Sequence, residues 1–291
     1  MKTRRIVLAA LLAAILIVPA VAEERGFELG LFGGLGFSRA SAGSAFSSEW
    51  SYLALESLRA DTTISAKPSS RFALGASLAW FFLPSLGLEL SGRSFDPEVA
   101  TTSDFIFNYK LAGQPAVSES HSWAGAGRLS TTAIDFDLVA RHDFGPVRLS
   151  LSAGPTLFFH SFNASGFAGL GASYVVVWYV FIDQFADSFQ IPVRIEETSW
   201  TAVGGNAALS AEVKLAGPVS LAVSARYSFS PSKELSWRWQ AGTYTGLDNP
   251  NGYFSDWEFR DADLAPFQSA TTTLRVNPSF FAVTAGLKLR L

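Results

Sequence analysis

Eight stretches of this chain alternate with period two, and their charges all fall on one side of the alternation. Phe27 to Phe37 sets Phe27, Leu29, Leu31, Leu35 and Phe37 against Glu28 and a row of glycines. Phe72 to Phe82, Leu86 to Leu90, Thr132 to His142, Val147 to Phe159, Val203 to Leu215, Val219 to Phe229 and Phe281 to Leu291 repeat the pattern. Such alternation, with turn residues between the runs, specifies β-strands with two chemically different faces. The apolar face of all eight carries no Lys, Arg, Asp or Glu, and only His142 at a strand end interrupts it. The other face carries Glu28, Glu89, Arg93, Asp135, Asp137, Arg141, Arg148, Glu212, Lys214, Arg226, Lys288 and Arg290.

A soluble sandwich also alternates, but it tolerates charge at the rim of its buried faces. A lipid-facing Arg or Lys costs roughly 2–4 kcal/mol at the bilayer midplane, which keeps such a face clean. Segments of about ten residues match a strand crossing a bilayer at a tilt. Aromatic residues collect at the segment ends, Phe27, Trp80, Phe82 and Phe144 on one side and Phe37, Phe72, Tyr227, Phe229 and Phe281 on the other. The connections are lopsided. Leu83–Ser85, Asp143–Pro146 and Ala216–Pro218 are tight turns, while about 38–70, 95–131, 160–202 and 230–280 are long. The reading is an all-β fold, a transmembrane antiparallel up-and-down barrel of eight strands. Its turns are short and periplasmic and its loops long and extracellular. Ten strands result if the apolar block of the third loop, Ser173 to Phe185, also crosses.

The front of the chain fits export. Lys2, Arg4 and Arg5 precede the apolar run Ile6 to Val18, then Pro19 and Ala20-Val21-Ala22. That order is a charged region, a hydrophobic region and an A-x-A cleavage site. Residues 1–22 are therefore read as a cleaved signal peptide and 23–291 as one barrel domain. The chain has no cysteine, so neither a disulfide framework nor a lipid-modified cysteine is expected. Only 16% of its residues are charged, against roughly 25% in soluble domains. The net charge of −3 becomes more negative once the leader is removed, which argues against nucleic acid as a partner.

The last strand, "FAVTAGLKLRL", resembles the C-terminal strand of bacterial outer-membrane barrel proteins in Val283, Ala285, Leu287, Leu289 and Leu291. The family usually ends in Phe, where this chain has Leu291. In architecture the chain resembles the small eight-stranded class of the OmpA transmembrane domain, OmpX and OmpW. The resemblance implies the outer membrane of a diderm bacterium, and its lipid and assembly machinery as partners.

Eight strands leave room only for side chains or one small ligand. Glu28, Glu89, Arg93, Asp135, Asp137, Arg226 and Lys288 are expected to form a charge network in the lumen, either a paired plug or a gated pore. Trp178, Tyr179, Trp237, Trp239, Trp257 and Phe259 are candidates for a loop contact surface toward an extracellular ligand or hydrophobic solute. Trp237 and Trp239 are read as one arm of a hairpin, Trp257 and Phe259 as the other, with Asp248 to Gly252 as its turn. The functional reading is a non-enzymatic barrel with a plugged lumen and aromatic surface loops. The alternatives are a narrow OmpW-like channel, for which Tyr174–Ile182 is the candidate constriction, and a lipid-modifying enzyme. Lipid A deacylases and outer-membrane phospholipases use Ser and His, and here only His121, in "SESHSW" (Ser118–Trp123), and His160 beside Ser161 are candidates. No metal-ligand spacing and no cofactor motif is present; "GLFGGLG" (Gly30–Gly36) lies within a strand rather than before a helix.

Overall fold

The computed structural model describes residues 26–38, 42–51, 57–111, 113–178, 181–247, 256–268 and 273–291. The signal-peptide segment 1–22, Tyr179 and the turn Asp248–Gly252 lie outside the described residues. The chain forms β1 (Phe27–Ser38), β2 (Ala42–Ser47), β3 (Glu49–Ser51), β4 (Ser57–Pro68), β5 (Arg71–Leu83) and β6 (Leu86–Phe95). Next come β7 (Glu98–Lys110), β8 (Val117–Phe144), β9 (Val147–Trp178), β10 (Phe181–Ala216) and β11 (Val219–Phe229). Last are β12 (Lys233–Ser236), β13 (Arg238–Trp239), β14 (Gly242–Thr245), β15 (Asp256–Phe259), β16 (Thr273–Val276) and β17 (Phe280–Arg290). One short helix, α1 (Asp261–Leu264), precedes a 3₁₀ turn at Ala265–Gln268.

Eight of these strands close on themselves in the order β1-β5-β6-β8-β9-β10-β11-β17, each pair antiparallel. The first and last pair from Glu28↔Arg290 to Ser38↔Phe280 and complete the ring. Two-residue turns, Pro84-Ser85, Gly145-Pro146 and Gly217-Pro218, join its strands at one end. The apolar face of the alternation points out of the ring: Leu31, Leu74, Phe136, Leu151, Val203 and Leu209 are all more than half exposed. The charged face points in, where Glu28, Glu89, Arg93, Asp135, Asp137, Arg148, Glu212 and Arg226 are buried.

The segments expected as loops are mostly strand. β8, β9 and β10 are 28, 32 and 36 residues long and continue well past the ring. Four of the other ring strands continue too, but each breaks at the same level. β5 resumes as β4 across Ser69-Ser70, β6 as β7 across Asp96-Pro97, β11 as β12 across Pro231, and β17 as β16 across Asn277-Pro278-Ser279. Proline has no N–H to give a ladder, so it sits where strands are interrupted. β10 has no proline at this level and instead shifts register between Ile195 and Thr198. The result is a waist, with the ring below and a second storey above.

Above the waist the chemistry inverts while the side chains keep their direction. On β9 the even positions face inward throughout. Below the waist they are Arg148, Ser150, Ser152 and Thr156; above it they are Phe162, Ala164, Ala168 and Leu170, all buried. The outward odd positions change from Leu149, Leu151 and Leu157 to Ser161, Asn163 and Ser165. The upper storey has an ordinary apolar core, built from Ile64, Leu129, Phe162, Leu170, Phe189, Ile191, Trp237, Trp239, Phe259, Leu264 and Leu274.

β9 leaves β8 at Ala164, its last partner being Gly127. It then runs across the inner face of β7 and β4, where hydroxyls satisfy its released backbone edge. Thr101 Oγ1 donates to the Ser165 carbonyl at 2.6 Å, and the Gly169 N–H donates to Thr62 Oγ1 at 3.1 Å. This approach requires glycine. A Cβ on Gly169 would stand 2.0 Å from the Phe105 ring, and one on Gly171 2.4 Å from Phe107. Gly169→Ala is expected to destabilise the upper storey by about 1–3 kcal/mol, read as an earlier urea transition for the upper-storey amides than for those of the ring.

Candidate functional site

Burying charge is tolerated only when each group finds partners, and the ring meets this by bonding across its own diameter. Asp135 on β8 accepts five hydrogen bonds. Arg93 Nε and Nη2 donate at 2.9 Å each, Ser91 and Thr156 at 2.8 Å each, and Arg226 Nη1 at 3.0 Å. Arg226 on β11 also donates to Asp137 at 2.8 Å and to Glu89 at 3.0 Å. Asn206 closes this cluster, donating to Asp137 at 2.7 Å and accepting from Arg226 at 3.1 Å. β6 and β11 stand opposite each other in the ring order, so the Arg226–Glu89 pair spans the lumen.

A second cluster lies nearer the short turns. Glu28 on β1 receives Arg141 at 2.6 Å, Arg148 at 3.0 Å and Arg290 at 3.2 Å. β1 and β9 are again opposite, so Glu28–Arg148 is a second diametric tie. Lys288 reaches Glu212 at 2.5 Å, and Arg148 also holds Asp143 in the turn at 2.5 Å. A cavity of about 50 Å³ remains between the clusters, lined by Ser77, Glu89, Arg93, Arg226 and Lys288 among others. That is room for very few waters.

The clusters are capped at the waist by an aromatic layer. Phe95 and Phe280 stack with centroids 5.1 Å apart, and Phe158 packs with them among Ala73, Ala133 and Ala282. The Arg93 guanidinium lies 5.3 Å from the Phe280 ring and joins the charged layer to this one. Just above, His160 bridges Thr131 at 3.0 Å and Ser230 at 2.9 Å, and Ser279 bonds the Ser230 backbone.

The structure therefore brings Glu28, Glu89, Arg93, Asp135, Asp137, Arg226 and Lys288 inside one ring, in two bonded clusters. Val283, Ala285, Leu287, Leu289 and Leu291 lie on the outward face of the closing strand, each exposed. The aromatic contact surface needs correction. Trp237, Trp239 and Phe259 are 1%, 3% and 1% exposed and form the core of the upper storey, with Trp257 half-buried against it. Nor do they form the two arms of one hairpin. β14 pairs with β15 through Tyr244↔Trp257, while β13 pairs with β10 through Trp239↔Val193. Trp237 Nε1 donates to Ser44 at 3.2 Å inside this core, while Trp239 Nε1 is buried without a hydrogen-bond partner among the described residues. The Ser173–Phe185 block is the far end of the β9–β10 hairpin, beyond the ring rather than within it. The side chain of Trp178 is outside the described residues.

Sequence reasoning missed Ser91, Thr156 and Asn206 as network partners and the plug of Phe95, Phe158 and Phe280. The signal was present: Phe158 shares the even, lumen-facing parity of Arg148 and Thr156. Among the described residues no group of acidic or histidine side chains could hold a metal ion.

No protein-family model matches the chain and no curated protein matches its sequence. Among solved structures, it overlaps the outer membrane protease OmpT from Escherichia coli at 11% identity and a TM-score of 0.29, covering 92% of this chain and 97% of that one. The beta domain of the Bordetella autotransporter BrkA overlaps at 12% identity and a TM-score of 0.20, covering 91% and 99%. At these scores neither overlap carries a functional argument.

Asp135→Ala leaves Arg93 and Arg226 without their shared carboxylate and is expected to cost about 3–5 kcal/mol. The double change Glu212→Leu/Lys288→Leu removes a whole pair and is expected to cost less than either single change. Urea unfolding of the folded protein in lipid vesicles measures both.

Proposed function

We propose that this chain is an integral outer-membrane β-barrel that anchors a folded extracellular storey and conducts nothing through its lumen. The observation that carries the reading is the apolar belt. Nearly all the large hydrophobic side chains exposed among the described residues sit on the outward face of the ring, from Leu31 to Leu291; Ile106 is the exception above the waist. A water-soluble surface rarely shows more than a few hundred Å² of continuous apolar area. Lipid requires such a belt and forbids open strand edges within it, and the closed ring of eight has none. Phe72 and Phe82 mark its two borders on one strand, ten residues apart in sequence, about 25 Å at the usual tilt. The non-enzymatic reading is kept. What supports it is that His160 is bonded to Ser230 and buried with it, at 3% and 1% exposure, and that His121 is stacked against Phe105 and Trp123. The OmpW-like channel is disfavoured by the diametric ion pairs and by the Phe95–Phe158–Phe280 layer.

Placing Arg in the belt tests the membrane assignment. Leu74→Arg and Leu138→Arg are expected to lower folding stability in phospholipid vesicles by about 2–4 kcal/mol. Ser122→Arg, above the waist, is expected to leave it within about 0.5 kcal/mol. Equal effects at all three sites overturn the belt. Vesicles holding the folded protein are expected to retain trapped glucose and to show no unitary conductance steps; steady solute release from correctly folded protein rejects the sealed lumen.

A further inference from the structure

Below the waist the outward face carries a groove. Between Leu151 and Leu157, β9 presents Ala153 and Pro155. Their short side chains leave a hollow of about 480 Å³, walled by Leu78, Leu88, Phe136 and Leu138 and reaching Trp80. A second pocket, of about 540 Å³, lies at the short-turn end and is lined by Trp80, Phe82, Leu83, Pro84 and Arg141 among others. Trp80 belongs to both, so groove and pocket adjoin. Both volumes fall in the range of ligand sites, about 300–1,000 Å³. The groove is apolar, while the pocket brings a cation to the border of the apolar belt.

That cation is held in place and only partly bonded. The Arg141 side chain is 10% exposed, and its guanidinium carbon lies 3.3 Å from the centre of the Phe81 ring. Nη1 donates to Glu28 at 2.6 Å and Nε to the Pro84 carbonyl at 2.9 Å. Nη2 donates to no group among the described residues. Nor is its charge matched, since Glu28 is shared with Arg148 and Arg290. The side chains of this end set five cations, Arg141, Arg148, Lys214, Lys288 and Arg290, against the carboxylates of Glu28, Asp143 and Glu212. An excess of positive charge beside an apolar groove fits an anion with a hydrocarbon tail.

We propose that pocket and groove together bind one anionic phospholipid of the leaflet at the short-turn end, a site that rests on the membrane assignment. A phosphate oxygen accepts from Arg141 Nη2, the planar, permanently charged donor that suits phosphate. Trp80 and Phe82, 5.7 Å apart, stand at the headgroup level where aromatic rings gather. One acyl chain lies in the groove along Leu88 and Leu138. A second copy of this chain is the poorer occupant, because it brings the same positive end to the pocket. A free phosphate ion is poorer too, because it leaves the groove unused.

The probe is phosphatidylglycerol brominated on its acyl chains, added as a minor component to phosphatidylcholine vesicles that hold the full folded protein. Bromine quenches tryptophan only near contact, and the other tryptophans belong to segments at or above the waist. The signal is the fluorescence that Trp80→Phe removes. Brominated phosphatidylglycerol is expected to quench it with about threefold higher relative affinity than brominated phosphatidylcholine, a preference that fades at high salt. Arg141→Gln is expected to abolish the preference. Since Arg141 also ties Glu28, a second variant leaves the ion pairs alone. Ala153→Phe fills the groove and is expected to abolish the preference too, while Ala211→Phe, on the outward face of β10 away from the groove, is expected to keep it. Equal quenching by the two lipids, a preference that survives either Arg141→Gln or Ala153→Phe, or one lost equally in Ala211→Phe overturns the proposal. Loss of the preference on adding glycerol 3-phosphate means a site for soluble phosphate and also overturns it. Quenching by neither lipid rejects the belt itself, so failure of the membrane assignment is told apart from failure of the site.

Discussion

Charge on the eight ring strands has only one place to go, and the rest of the structure follows from where it goes. Below the waist the outward face is apolar, so the Lys, Arg, Asp and Glu there turn inward, and at mid-height they enter a space too narrow to hydrate them. Asp135, with its five donors, is the fixed point of that interior. Arg93 and Arg226 converge on it from opposite walls, and Arg226 carries the bonding on to Asp137 and Glu89. A pair on neighbouring strands would leave the middle of the lumen empty. Pairs between opposite strands fill it, which is why a sealed ring and a satisfied interior are the same solution.

The inversion at the waist follows from a change of solvent rather than a change of fold. Hydrogen bonding between strands is indifferent to what surrounds them, so β8, β9 and β10 continue through the boundary without interruption. What must change is side-chain chemistry. On the proposed membrane reading, lipid outside and charge inside give way to water outside and apolar packing inside, with Phe95, Phe158 and Phe280 as the layer where the regimes meet. The other strands need a break at this level because the sheet above folds over on itself, and Asp96-Pro97, Pro231 and Asn277-Pro278 supply it.

The ring was legible in the sequence because period-two alternation reports directly on two-faced strands. The residues of the lumen could be named from parity alone: Glu89 and Asp137 had to share a side once Leu88 and Leu138 took the other. Their partners were not legible, because Ser91, Thr156 and Asn206 look like any small polar residue until the ring closes and sets β8 beside β9. The upper storey looks like loops in the sequence because its strands reverse the expected sorting. On β9, Phe162, Ala164, Ala168 and Leu170 keep the inward parity but swap polarity, and a search for apolar residues on the outward side passes over them. In the sequence Trp237 and Trp239 look like a surface, because aromatic residues in a loop have no visible core to join. That core is assembled from segments more than a hundred residues apart, such as Ile64 and Trp237, and no local pattern reports it.

The uninterrupted run of β8, β9 and β10 makes the two storeys a single mechanical piece. A residue inserted in the lower half of β9 would advance every position above it by one. It would turn Phe162 and Leu170 outward into water and bring Ser161 and Asn163 into the core, many ångströms from the insertion. Length is therefore locked along β9 in a way that composition is not, whereas β10 takes up one extra residue as the bulge between Ile195 and Thr198. Sequence drift can exchange one outward apolar residue for another freely, while additions and losses of residues fall in the turns, at the far tips, or at a bulge such as that of β10 at the waist.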